Sequence, residues 1–116
     1  MRGGGLSAMW AVALLPAAAL AAEPAPITPE RQQQLVHMVR QDCGSCHGMR
    51  LTGGLGPALT REALAGKPLD AMAATIFHGR PGTPMPGWRA LLSETEARWI
   101  AAQLMAGFPI ESRAAR

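Results

Sequence analysis

The stretch Cys43-Gly44-Ser45-Cys46-His47 constrains this chain more than any other. Two thiols three positions apart, with a histidine directly after the second, form the pattern of covalent haem attachment. Each thiol can add to one vinyl group of the porphyrin, which sets the imidazole of His47 under the iron as proximal ligand. A redox-active thiol pair has no need of the histidine. A zinc site usually needs four protein ligands, and the sequence holds no second C-x-x-C. The motif therefore predicts a haem bonded to Cys43 and Cys46, and a domain folded around it. Both cysteines of the chain are then used, so no structural disulfide is available.

Covalent haem of this kind belongs outside the cytoplasm, and the N-terminus agrees. Arg2 is a positive start, Leu6 to Leu15 is a short apolar run, and Ala19-Leu20-Ala21 places small residues at both cleavage-site positions. Residues 1–22 read as a signal peptide cut near Ala21 or Ala22. The other reading is a retained anchor, because the alanine-rich stretch to Ala22 is just long enough to span a bilayer. Residues 23–27, E-P-A-P-I, form a Pro-rich leader of the mature chain.

Loss of Arg2 with the leader reduces the basic residues from 11 to ten, against eight acidic ones. Two haem propionates bring the balance near neutral, so the high sequence pI does not argue for nucleic acid. The sequence has no Lys/Arg cluster and few aromatic residues for stacking on bases.

Thr28-Pro29-Glu30 opens a first helix: a capping hydroxyl, a proline at the first position and an acid at the positive end. Leu35, Val36 and Val39 share a face, and the helix is expected to run to about Asp42, delivering the chain into the haem motif. His37 on this helix is read as a surface histidine. Gly48 to Pro57 holds four glycines and must be a loop. A ligating imidazole normally donates its second ring N–H to a carbonyl. Pro57 is the candidate acceptor for His47, although a plain turn proline fits the spacing equally well. Leu59 to Ala65 is a candidate short helix. Leu69 to His78 is a better one, with Leu69, Met72, Ala73, Ile76 and Phe77 on its apolar face and Gly79 ending it. Ser93 and Glu96 make a capping box for a last helix to about Ala106, in which Ile100 and Leu104 share a face with Ala97 and Ala101 beside them, and Trp99 and Ile100 are expected against the first helix. The tail 110–116 is expected to fray.

Between these helices lies Arg80 to Trp88, R-P-G-T-P-M-P-G-W, with three prolines and two glycines around one methionine. Each proline fixes its φ, so the loop is stiff. A stiff loop presenting one thioether suits a sixth iron ligand. Met85 is thus the candidate partner of His47 across the iron. Met38, Met72 and Met105 lie on helices at core-like spacing, and Met49 is too near His47 to reach round the ring. His78 remains a rival, and would give a bis-histidine haem of lower potential.

Taken together, helix, C-x-x-C-H, Gly-rich loop with G-P, helix, Met-bearing loop and capped last helix resemble class I cytochrome c. Asp42 to Leu59 and Gly79 to Trp88 are similar in wording to the NirC-type cytochromes, also called cytochrome c-55X. The resemblance implies an all-α fold of three to five short helices wrapped around one covalently bound c-type haem, occupying residues 28–109. It implies Cys43 and Cys46 as haem-bonding residues and His47 and Met85 as axial iron ligands. It further implies a periplasmic, monomeric carrier of single electrons associated with denitrification and its cytochrome cd-type nitrite reductase. The alternative is an accessory protein in maturation of that reductase's d-type haem. With both axial positions filled, iron has no open site for a substrate, so neither reading makes the chain an enzyme. Arg50, Arg80 and Arg89 are candidates to ring the haem edge, or are simply solvated.

Overall fold

The computed structural model describes Met1 and residues 10–14 and 16–108. Residues 2–9, 15 and 109–116 lie outside the described residues, among them half of the apolar run Leu6 to Leu15 and the tail 110–116. Among the described residues there is no strand, and no helix is long and apolar enough to cross a membrane.

Five helical segments follow one another: α1 (Pro29–Met38), α2 (Gly44–His47), α3 (Arg61–Leu64), α4 (Leu69–His78) and α5 (Glu94–Met105). The all-α expectation and the class I cytochrome c architecture hold. α1 begins as its sequence requires: the Thr28 hydroxyl accepts from the Arg31 N–H at 3.2 Å, and Pro29 occupies the first turn. Its end differs from the expected run to Asp42. α-Helical bonding stops at Met38, a wider π turn occupies Val39–Cys43, and α2 continues directly from it. There the Gly44 N–H reaches back five residues to the Val39 carbonyl. The short helix expected over Leu59 to Ala65 is the single turn α3, capped by Thr60, whose hydroxyl accepts from the Ala63 N–H. α4 has the expected bounds, with Gly79 at φ +75° closing it. α5 carries the reciprocal capping box: Glu96 N–H donates to the Ser93 hydroxyl at 3.1 Å, and Ser93 N–H donates to Glu96 Oε2 at 2.9 Å.

The helical faces read from spacing are the faces that pack. Leu35 and Val39 from the first helix, Ile76 from α4, and Ala97, Ile100, Ala101 and Leu104 from α5 are buried in one cluster. Leu64 joins it from α3, and Leu51 and Leu92 from the connections. Val36 is only half-buried, as are Met72, Ala73, Phe77 and Trp99, which pack on the margin of the cluster. α5 lies chiefly along α4 and also meets α1 and α3. Ala97 and Ala101 put only methyls at their positions on its buried face, which lets backbones approach there. Arg31 ties α1 to α5 at the surface, its Nε 2.6 Å from Glu96 Oε1.

Candidate haem-binding site

The π turn and α2 carry the two thiols and His47 at the N-terminal side of the Gly-rich loop. Gly44 is buried at the centre of the motif, while Cys43 is half-buried and Cys46 exposed. Burial pushes the Cys43 thiol up to about 11, with the nearby Asp42 carboxylate adding to it. At neutral pH Cys43 is therefore a protonated thiol, a poor attacker in thiol–disulfide exchange. The Ser45 hydroxyl donates to the Asp42 carbonyl at 2.7 Å and holds the turn.

The Gly-rich loop folds back over this turn. Gly53 N–H donates to the His47 carbonyl and Gly56 N–H to the Cys46 carbonyl, each at 2.8 Å. The last carbonyls of α2 are thereby satisfied, as a helix end requires. Close approach is the reason for glycine at position 56: a Cβ there would stand 2.7 Å from Cε1 and Nδ1 of His47. One residue further on, the Pro57 carbonyl oxygen lies 2.7 Å from His47 Nδ1. A carbonyl only accepts, so Nδ1 carries the proton and Nε2 keeps a free lone pair. That is the tautomer an iron-ligating histidine needs.

Met85 is half-buried at the middle of the loop that leaves α4 and returns to it. His78, its rival, is exposed at the end of α4. It stands edge-on to Phe77, ring centroids 4.9 Å apart, and lines a cavity of about 340 Å³ between α4 and the start of α5 with Asp70, Glu94 and Arg98. His37 is exposed on α1. Met38, Met72 and Met105 pack against the core cluster, and Met49 is exposed. Among the described residues no three His, Cys, Asp or Glu side chains gather as a metal cluster would require. Sequence reasoning missed Gly56 as a residue of this site. Its signal was present only as one glycine among several.

Comparison with known proteins follows the same line. Residues 30–104 match the family model described as cytochrome C oxidase, cbb3-type, subunit III. The chain is 63% identical over 91 residues to cytochrome c55X of Stutzerimonas stutzeri, covering 78% of each protein. The solved c-type cytochrome NirC superposes with a TM-score of 0.67 at 58% identity, over 68% of this chain and 93% of that one. The chain belongs to the cytochrome c55X family. It is thus a c-type cytochrome, a class whose haem is covalently bound. This cytochrome is also 40% identical over 75 residues to the dihydro-heme d1 dehydrogenase of Pseudomonas aeruginosa, spanning 64% of the chain but 15% of the dehydrogenase.

Proposed function

We propose that this cytochrome carries single electrons in the periplasm on one haem c, with cytochrome cd-type nitrite reductase of denitrification as its partner, and that it is not an enzyme. The observation that carries the reading is the bond between His47 and Pro57, which leaves Nε2 of His47 as the one free nitrogen beside a C-x-x-C turn. The residues present fit a haem: two thiols on adjoining helical turns, an imidazole held in the ligating tautomer, and glycine at position 56, where a Cβ would strike that imidazole. Haem iron supplies a one-electron ferric/ferrous couple when bound. Cys43 and Cys46 would tether the porphyrin by thioethers, and His47 and Met85, the latter on its stiff loop, would be the side chains that hold the iron. As an iron ligand, the soft Met85 thioether would favour the ferrous state, and its stiff loop would hold the sulfur in place. Residues 1–22 direct export and are removed, residues 23–27 are the leader of the mature chain, and 28–109 form the monomeric haem domain. Docking is brief and small in area, as in other redox encounters.

One observation favours the second reading, a role in maturation of the d-type haem. A dehydrogenase named for dihydro-haem d1 contains a stretch 40% identical to this cytochrome. Dehydrogenation releases two electrons, which a separate cytochrome of the same type would accept one at a time.

Stopped-flow mixing separates the readings. The reduced, haem-loaded protein is mixed with oxidised cytochrome cd-type nitrite reductase, and the oxidised protein with dihydro-haem d1 dehydrogenase and its substrate. Fast, salt-sensitive oxidation in the first mixture supports the carrier role. Negligible transfer there with fast reduction in the second assigns the cytochrome to haem maturation.

A further inference from the structure

The loop bearing Met85 leaves α4 at Gly79 and passes the end of the same helix again at Gly87. The two glycines meet backbone to backbone. A Cβ on Gly79 would stand 2.5 Å from the Gly87 nitrogen and 2.8 Å from the Met85 carbonyl oxygen. A Cβ on Gly87 would stand 2.7 Å from the His78 carbonyl carbon and 2.8 Å from the Phe77 carbonyl oxygen. Hydrogen bonds stitch the neck shut. Arg80 N–H donates to the Met85 carbonyl at 3.2 Å, Trp88 N–H to Ile76 at 3.1 Å and Arg89 N–H to Phe77 at 3.2 Å. Carbonyls at the end of α4, which have no partner within the helix, are taken by the chain that follows Met85. Inside the loop the Thr83 hydroxyl donates to the Arg80 carbonyl at 2.7 Å and accepts from the Met85 N–H at 3.4 Å.

We infer that this closed neck, with Gly79 against Gly87 and Thr83 bridging Arg80 and Met85, positions the Met85 sulfur, so that Gly87 and Thr83 are positioning residues for iron ligation. The inference rests on the reading of Met85 as an axial ligand. Gly87 is glycine for lack of room: it is absent from the positive-φ glycines. Gly82 at the tip of the same loop is the converse, with φ +78° and nothing within 4 Å of its would-be Cβ. Carbon atoms rest about 3.5–4.0 Å apart. A methyl on Gly87 therefore opens the neck by about 1 Å, beyond the roughly 0.5 Å within which a ligand must be held.

The test uses haem-loaded protein exported with its own leader, as parent, Gly87→Ala, Gly82→Ala, Thr83→Val, Thr83→Ser and Met85→Ala. The readouts are the ferric sulfur-to-iron charge-transfer band and cyanide affinity. Gly87→Ala is expected to lose most of the band and bind cyanide about tenfold more tightly. Gly82→Ala is expected to keep both parental values despite its strained φ. Thr83→Val is expected to weaken the band, and Thr83→Ser to retain it. A parental band in Gly87→Ala, or an equal loss in Gly82→Ala, overturns the inference. If Gly87→Ala does not fold, the Thr83 pair decides, and a parental band in Thr83→Val overturns it. Met85→Ala separates the two failures. A band that survives in Met85→Ala removes the ligand reading itself. A band lost in Met85→Ala but kept in Gly87→Ala removes only the role of the neck.

Discussion

The Pro57 carbonyl oxygen stands 2.7 Å from Nδ1 of His47, and Gly56 lies against the same ring so closely that a methyl in its place would collide with it. Two adjoining residues thus share the imidazole, Pro57 holding it and Gly56 walling it in. A hydrogen bond to the second nitrogen raises the basicity of a ligating histidine. A more basic ligand favours ferric iron, so loss of the bond raises the reduction potential.

Gly56→Ala is the variant that acts there. The added methyl pushes the ring off the Pro57 carbonyl while leaving Cys43, Cys46 and His47 unchanged. The haem stays covalently attached, and the potential rises by about 40 mV, the one-electron equivalent of one hydrogen bond of about 1 kcal/mol. Voltammetry of the loaded variant against the parent measures it, and an unchanged potential would show that the bond does not tune the iron.

Arg31 and Glu96 make a pH-dependent tie between α1 and α5. The hydrogen-bonded Arg31 guanidinium holds the Glu96 carboxyl below its usual range, against a smaller opposing effect of burial. A carboxyl depressed in the folded state stabilises the fold above its unfolded pKa, and that stabilisation is lost as pH falls through the folded value. With Arg31 one third exposed, the pair contributes about 1 kcal/mol. Glu96→Gln is therefore less stable than the parent near pH 7, and the difference closes on acidification below about pH 4, where the parent carboxyl also protonates. Urea unfolding across that range reads it, and a difference independent of pH would assign the loss to the cap alone.

This tie shows where sequence legibility stopped. Ser93 and Glu96 were readable as a cap because a cap is local, and Leu69 to His78 was readable because its apolar period is bounded by Pro68 and Gly79. Nothing local pairs Arg31 with a glutamate 65 positions away. The same holds inside the motif. Cys43, Cys46 and His47 announce themselves by covalent chemistry. The π turn over Val39–Cys43 has no residue signature. Leu51 is the sharpest case: a leucine with φ +59°, a region disfavoured for its side chain, kept there because it is buried in the core cluster. Glycine density marked Gly48 to Pro57 as a loop but not which glycine would touch the imidazole.

Ile100 gives a prediction for the core. It is 1% exposed, on the face of α5 that joins the cluster with Leu35, Val39 and Ile76. Ile100→Ala leaves a cavity among helices that cannot all close on it, and costs about 2–5 kcal/mol. The proposed iron ligands, His47 on α2 and Met85 in its loop, lie outside α5. Chemical denaturation of the loaded protein therefore shows the loss while the visible spectrum under native conditions stays that of the parent. A changed spectrum would place Ile100 in the haem environment.

Met85→Ala tests the sixth ligand. Of the described methionines, Met38, Met72 and Met105 are committed to the core, and Met49 is two residues beyond His47. His78 is engaged with Phe77 and the α4–α5 cavity. The loop thus offers one soft donor, held from both sides by Pro84 and Pro86. Removing its sulfur takes away the preference for ferrous iron, so the potential falls by on the order of 0.1 V, within the about 0.8 V range that axial ligands command. It also leaves a coordination position for carbon monoxide on the ferrous protein and cyanide on the ferric one. The two effects must appear together. A potential that falls without new ligand binding means that another side chain, His78 foremost, has moved in to fill the position. His78→Ala added to Met85→Ala then restores access to carbon monoxide.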